Sequence, residues 1–132
     1  MNAEASNVQS RCTPLYEEHE RLGARFTEFS GWKMPILYSG IIDEHKNVRS
    51  NAGLFDVSHM GEIRVRGNQA LPFLQHLTSN DVSKLKVGEA QYSLLLNPDG
   101  GVIDDIIIYR LAEDDYLLCV NAGNTEKDWN WI

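Results

Sequence analysis

Three strand-like runs in a row constrain this chain more than anything else in it. Gln91–Leu96, Val102–Leu111 and Tyr116–Val120 are rich in branched and aromatic residues. Two short linkers join them, Asn97-Pro98-Asp99-Gly100-Gly101 and Ala112-Glu113-Asp114-Asp115. Linkers of this length turn each strand back beside the last, so an antiparallel meander is predicted.

The first half has a different rhythm. Thr13-Pro14-Leu15-Tyr16-Glu17-Glu18 has the signals of a helix start, with Thr13 as N-cap, Pro14 at the first helical position and acids in the first turn. Leu15, His19 and Leu22 share a face, and Gly23 can end the helix. Arg25 to Phe29 alternates as a short strand. The stretch SGWKMPILY is expected to be irregular, with Gly31 and Pro35 as breakers. A second helix is predicted over Ser39–Ala52, strand character over Leu54–Arg66, and a third helix over Ala70–Leu77, with Pro72 in its first turn. Helices set apart from an antiparallel sheet give the α+β class. Near the end, Thr125-Glu126-Lys127-Asp128 resembles a capping box with Asp in place of Glu, and Trp129 and Ile132 begin an apolar stripe. That helix stops after about two turns, when a typical helix runs about 11–12 residues. The chain is therefore expected to be part of a longer one.

Composition narrows the function. The 132 residues carry a net charge of −7, which argues against binding a phosphate backbone. No window approaches the roughly 20 apolar residues of a membrane span. Residues 1–10 are polar, with no apolar signal-like core, and are expected to form a loose arm. Cys12 and Cys119 lie far apart and form no metal spacing, as expected of reduced thiols in a cytosolic protein. His19, His45, His59 and His76 show no paired ligand spacing, so no metal site is predicted.

Chemistry is suggested by Asp104 and Asp105, adjacent acids inside an isoleucine-rich strand. Strand parity puts Asp104 with Val102, Ile106 and Ile108, and Asp105 with Ile103, Ile107 and Tyr109. Both faces are apolar, so a strand covered on both sides is expected, with at least one carboxylate partly desolvated. A desolvated acid is a functional candidate. The alternative is that both lie near the hairpin end and stay wet. Parity does not choose between them. Asp56, Ser58 and His59 in FDVSHMG tempt a triad reading, but in a strand Asp56 and Ser58 point away from His59, and triads assemble from distant segments.

The stretch TPLYEEHERLGARFTEFSGWKMPILYSGIIDEHKNVRSNAGLFDVSHMGEIRVRG, followed in order by NPDGGVIDDIIIY and LCVNAGNTEKDWNWI, resembles the amino-terminal part of the glycine cleavage system T-protein family, the folate-dependent aminomethyltransferases. The resemblance runs from about Thr13 to Ile132. It implies the first, folate-binding domain of a three-domain cloverleaf around a central channel, here residues 11–132 and incomplete at the C-terminal end. It implies transfer of the aminomethyl group on the lipoyl arm of H-protein to tetrahydrofolate, with release of ammonia, in cytoplasmic glycine catabolism and one-carbon metabolism. No metal, nucleic acid or membrane is implied. The family's essential aspartate is the first of its acid pair, which is Asp104 here. Met60 is similar to a residue that packs on the folate, and Tyr92, Leu118, Val120 and Asn121 match strand positions near the pocket. Rival readings are a folate-binding paralogue (tRNA-modifying, iron–sulfur-related or a demethylase) and a non-catalytic module that docks a partner such as H-protein.

Overall fold

The computed structural model describes residues 10–132, which divide into two compact units, one reaching His59 and the other beginning at Met60. The arm expected over residues 1–10 lies, apart from Ser10, outside the described residues.

In the first unit β1 (Arg11–Cys12), α1 (Tyr16–Arg21), β2 (Arg25–Phe29), β3 (Trp32–Leu37) and α2 (Ile41–Ser50) follow in order. The start of α1 differs from expectation. Tyr16 N–H closes the first turn on the Thr13 carbonyl at 3.1 Å, and the helix has no side-chain cap. β2 and β3 pair as a hairpin around Ser30 and Gly31, whose φ values of 51° and 79° suit a primed turn. Residues expected to be irregular are thus a strand. Pro35 is tolerated because β1 pairs only with Trp32 and Lys33, which leaves β3 a single partner at the proline. At α2 the Glu44 carboxylate reaches back to accept the N–H groups of Tyr38, Ser39 and the N-cap Gly40 at 2.8, 2.8 and 3.0 Å, tying down the turn that leads into the helix. Strand character was expected from Leu54, but the strand begins only at Gly61. Asp56 accepts the Ser58 N–H at 2.9 Å, a local turn that competes with a ladder.

In the second unit β4 (Gly61–Arg66), α3 (Ala70–Leu77), β5 (Ala90–Leu96), β6 (Val102–Ala112), β7 (Asp115–Val120) and α4 (Thr125–Trp131) build one antiparallel sheet in the order β4-β7-β6-β5, with helices. The meander is as predicted, within a residue at each end. Asn97 shapes its first turn: the Oδ1 accepts the N–H groups of Asp99 and Gly101 at 3.0 and 2.7 Å, and Gly100 takes a φ of 82°. Only one face of the sheet is buried. Leu74 of α3, Leu95, Ile106, Ile108, Tyr116, Leu118 and Val120 form the core there, with Ile132 packed against it. On the other face Tyr92, Ile107 and Tyr109 are exposed, so the second cover expected for β6 is missing among the described residues.

Candidate functional site

Parity in β6 carries Asp104 inward beside Ile106 and Ile108 and leaves Asp105 on the open face. Asp104 is 4% exposed, so its charge must be answered from within. The turn from β7 into α4 answers it. Asn121 donates its backbone N–H to Asp104 Oδ2 at 3.2 Å and its amide Nδ2 to Oδ1 at 3.0 Å. Asn124 donates Nδ2 to the same Oδ1 at 2.6 Å. Burial pushes the Asp104 carboxyl up, but hydrogen bonds from Asp128, Asn121 and Asn124 outweigh it and hold the group below its ordinary value. The Asn121 amide also reaches the Asp105 carbonyl and carboxylate, at 3.1 and 3.0 Å, so it ties both acids to the end of β7.

Asp128 lies behind Asp104 on the inward stripe of α4. It is completely buried, and neither of its oxygens meets a donor among the described residues. Counted as a carboxylate it is orphaned; counted as an acid it has Asp104 as acceptor. Burial, then the bond to Asp104 and its charge, push Asp128 up to about 7. The expected capping box is therefore absent: Asn124 holds the N-cap position but turns its side chain to Asp104, and Thr125 Oγ donates to the Asn121 and Ala122 carbonyls at 3.3 Å. Gly61 lets α4 settle this close. A Cβ on Gly61 would come within 2.6 Å of Thr125 Cγ2 and 2.7 Å of Val120 Cγ2.

Of the residues chosen from the sequence, the structure brings Asp104 and Asn121 into direct contact. Leu118 and Val120 lie on the same face but are sealed in the core, Leu118 opposite Ile63 and Ile108. Met60 is half-buried just before Gly61, which pairs with Val120. Tyr92 is on the opposite face, paired with Ile107. There burial, then the charge and hydrogen bond of Asp105, raise its hydroxyl pKa. Asn124 and Asp128 were missed. For Asp128 the available signal was the α4 stripe, where Thr125, Asp128 and Ile132 recur at helical spacing with an acid at an inward position; Asn124 lies off that stripe.

The first unit has its own part-buried polar chain. His19 of α1 bonds Asp56 Oδ2 through Nε2 at 2.8 Å, and the Tyr38 hydroxyl lies 2.7 Å from Nδ1. Burial pushes Asp56 up, but hydrogen bonds led by His19 overcome it and hold the carboxyl well below the usual range. Ser58 also donates to Asp56 through its N–H, and the histidine that serves Asp56 comes from α1 and not from the FDVSHM stretch.

Residues 15–132 match the GCVT N-terminal domain family. The chain belongs to that family. It is 62% identical over 121 residues to an aminomethyltransferase of Bdellovibrio bacteriovorus, a match covering 91% of this chain and 34% of the relative. It is 58% identical to an aminomethyltransferase of Symbiobacterium thermophilum, across 96% of this chain and 34% of that protein. In three dimensions it is similar to the crystal structure of glycine cleavage system aminomethyltransferase T from Bartonella henselae, with a TM-score of 0.86 and 46% identity over 91% of this chain and 34% of that one. The chain thus spans about a third of the length of these relatives. In this GCVT N-terminal domain, Asp104 and Asp128 are two buried carboxyls with opposite tendencies, the first held below its ordinary value and the second pushed up to about 7.

Proposed function

We propose that the chain is the folate-binding amino-terminal portion, over residues 11–132, of a cytoplasmic glycine cleavage aminomethyltransferase. The whole enzyme takes the aminomethyl group from lipoylated H-protein and passes its one-carbon unit to tetrahydrofolate, releasing ammonia. The observation that carries this reading is Asp104: a carboxylate buried to 4% exposure yet kept ionised by the Asn121 and Asn124 donors. Identities of 62% and 58% to aminomethyltransferases support it.

Tetrahydrofolate supplies the amine that accepts the one-carbon unit. Asp104 orients that amine by accepting its N–H, and helps move the proton shed as the new C–N bond forms. Asn121 and Asn124 fix the direction of the carboxylate, so little reorganisation accompanies the step. Tyr92, Ile107 and Tyr109 lie on the open sheet face, across the sheet from Asp104, and offer a flat apolar surface to another part of the folate, with Asp105 and Asn121 at its end. Met60, Leu118 and Val120 back the site.

Tetrahydrofolate titration of this chain and of the full-length enzyme, with ammonia release from aminomethyl-lipoyl H-protein as the activity readout, tests the proposal. The full-length protein binds and turns over; the 132 residues alone bind weakly and turn over little or nothing. In the full-length protein Asp104→Asn keeps the fold and loses turnover. A full-length protein that does not bind tetrahydrofolate rejects the enzyme reading, and one that binds without releasing ammonia returns the chain to a folate-using paralogue.

A further inference from the structure

The buried contact between β6 and α4 holds two carboxyl groups and no cation. Lys127, the only basic residue on α4, is exposed and donates Nζ to the Ile103 carbonyl at 2.6 Å; its charge draws the Asp128 carboxyl down, but less than burial and Asp104 push it up. Glu126 is exposed. β4 brings only Gly61 against Thr125; Glu62 pairs with Cys119 on the other side of the sheet. Asp105 is on the open face, bonded to Asn121. Asp128 is completely buried with both oxygens unpaired, the charges that reach it are Asp104 and, more weakly, the exposed Lys127, and the three neutral donors nearby are spent on Asp104. Two adjacent buried carboxylates would repel each other in a site of low dielectric, whereas one proton between them removes the repulsion and makes a charge-assisted hydrogen bond.

We infer that Asp128 is a positioning residue for Asp104: it holds a proton across the β6–α4 contact and donates it to the Asp104 carboxylate, so that the pair carries a single negative charge. The protonated Asp128 completes the ring of donors around Asp104 and lowers its basicity. Asp104 is then tuned to accept and orient an N–H rather than to strip a proton from a distant acid. Because Asp128 rides on α4, the stance of that helix sets the direction of the acceptor. The shared proton stands on the structure alone. Its consequence for turnover rests on the aminomethyltransferase reading above.

Carboxyl-carbon NMR of the full-length protein, labelled at aspartate, decides between a shared proton and an inert buried acid. One carboxyl titrates near neutrality, disappears in Asp128→Asn, and moves down by a unit or more in Asp104→Asn. In aminomethyl transfer, Asp128→Asn keeps the fold and a donor to Asp104 but removes the near-neutral inflection from the pH profile of kcat, whereas Asp128→Leu, which donates nothing, lowers kcat by about tenfold through loss of orientation. An Asp128 signal that titrates with the exposed aspartates, or that ignores Asp104→Asn, overturns the inference. So does an unchanged pH profile in Asp128→Asn. If the full-length protein shows no transfer at all, the reaction reading fails and the NMR titration still decides the pair.

Discussion

Asp128→Asn should change stability in a way that depends on pH with a definite sign. The Asp128 carboxyl ionises at about 7 in the folded chain against an ordinary 3.8. Between those values the folded state holds a proton that the unfolded state has released, so stability falls as the pH rises through the window. The separation of about three units corresponds to roughly 4 kcal/mol, reached in full above pH 7. Asp104 does not blur the window. Its carboxyl is held below the ordinary value, so its share is present above pH 3.8 and is lost only at more acid pH. Asparagine keeps a donor for Asp104 but leaves an amide oxygen buried and unpaired, at a cost of about 1–3 kcal/mol that does not vary with pH. The variant is therefore less stable than the parent near pH 4 and gains on it by up to about 4 kcal/mol by pH 8. Guanidinium unfolding from pH 4 to 8 measures this, with Trp129 and Trp131 on α4 as fluorescent reporters. A stability difference that stays flat with pH, or that grows against the variant at alkaline pH, refutes the shared proton and the buried acid together.

Three further outcomes follow from the packing. Gly61→Ala forces a methyl against Thr125 and Val120 and should cost about 1–3 kcal/mol, with the Asn124 amide signal shifting in NMR as α4 backs away. His19→Ala strands the buried Asp56 and should destabilise the first unit by about 3–5 kcal/mol in denaturant melts. In the same variant the acid limb changes: Asp56 supplies stability above its ordinary pKa and loses it as the pH falls, and removing His19 flattens that loss below about pH 4. Leu74→Ala empties a fully buried position in α3 and should cost about 2–5 kcal/mol by thermal melting.

What the sequence made legible was whatever rests on local pattern. The meander follows from three runs and two turn linkers, and α3 from the spacing of Leu71, Leu74 and Leu77. The inward placement of Asp104 follows from parity once one face is known to be buried. β3 was hidden because Pro35 signals a break, and only the short reach of β1 makes the proline harmless. The stretch before Gly61 looked like strand because its apolar residues alternate, but the Asp56 side chain takes the backbone donor of Ser58 and bends it away. The open face of the sheet was misread too. Ile107 and Tyr109 look like core residues, and sequence does not say which apolar face the described residues leave bare.

Asn124 and Asp128 were illegible for a related reason: both have an ordinary local role to play. Asn is a good N-cap, and with Thr125 read as the cap instead an acid three residues on is a good capping-box partner, so each side chain has a local role open to it at the start of α4. The structure gives them instead to a carboxylate some twenty residues earlier in the chain. That exchange costs α4 its side-chain cap, which is worth about 1 kcal/mol. Burying Asp128 against a second acid costs more. Two local rules broken at one helix start, both in favour of the same carboxylate, are hard to account for by folding alone, since an apolar residue at 128 would pack better and cost nothing to desolvate. The expense is understandable if Asp104 must keep its charge, direction and low basicity in a place water hardly reaches. On that reasoning Asp128→Leu should be the more stable protein and the poorer catalyst.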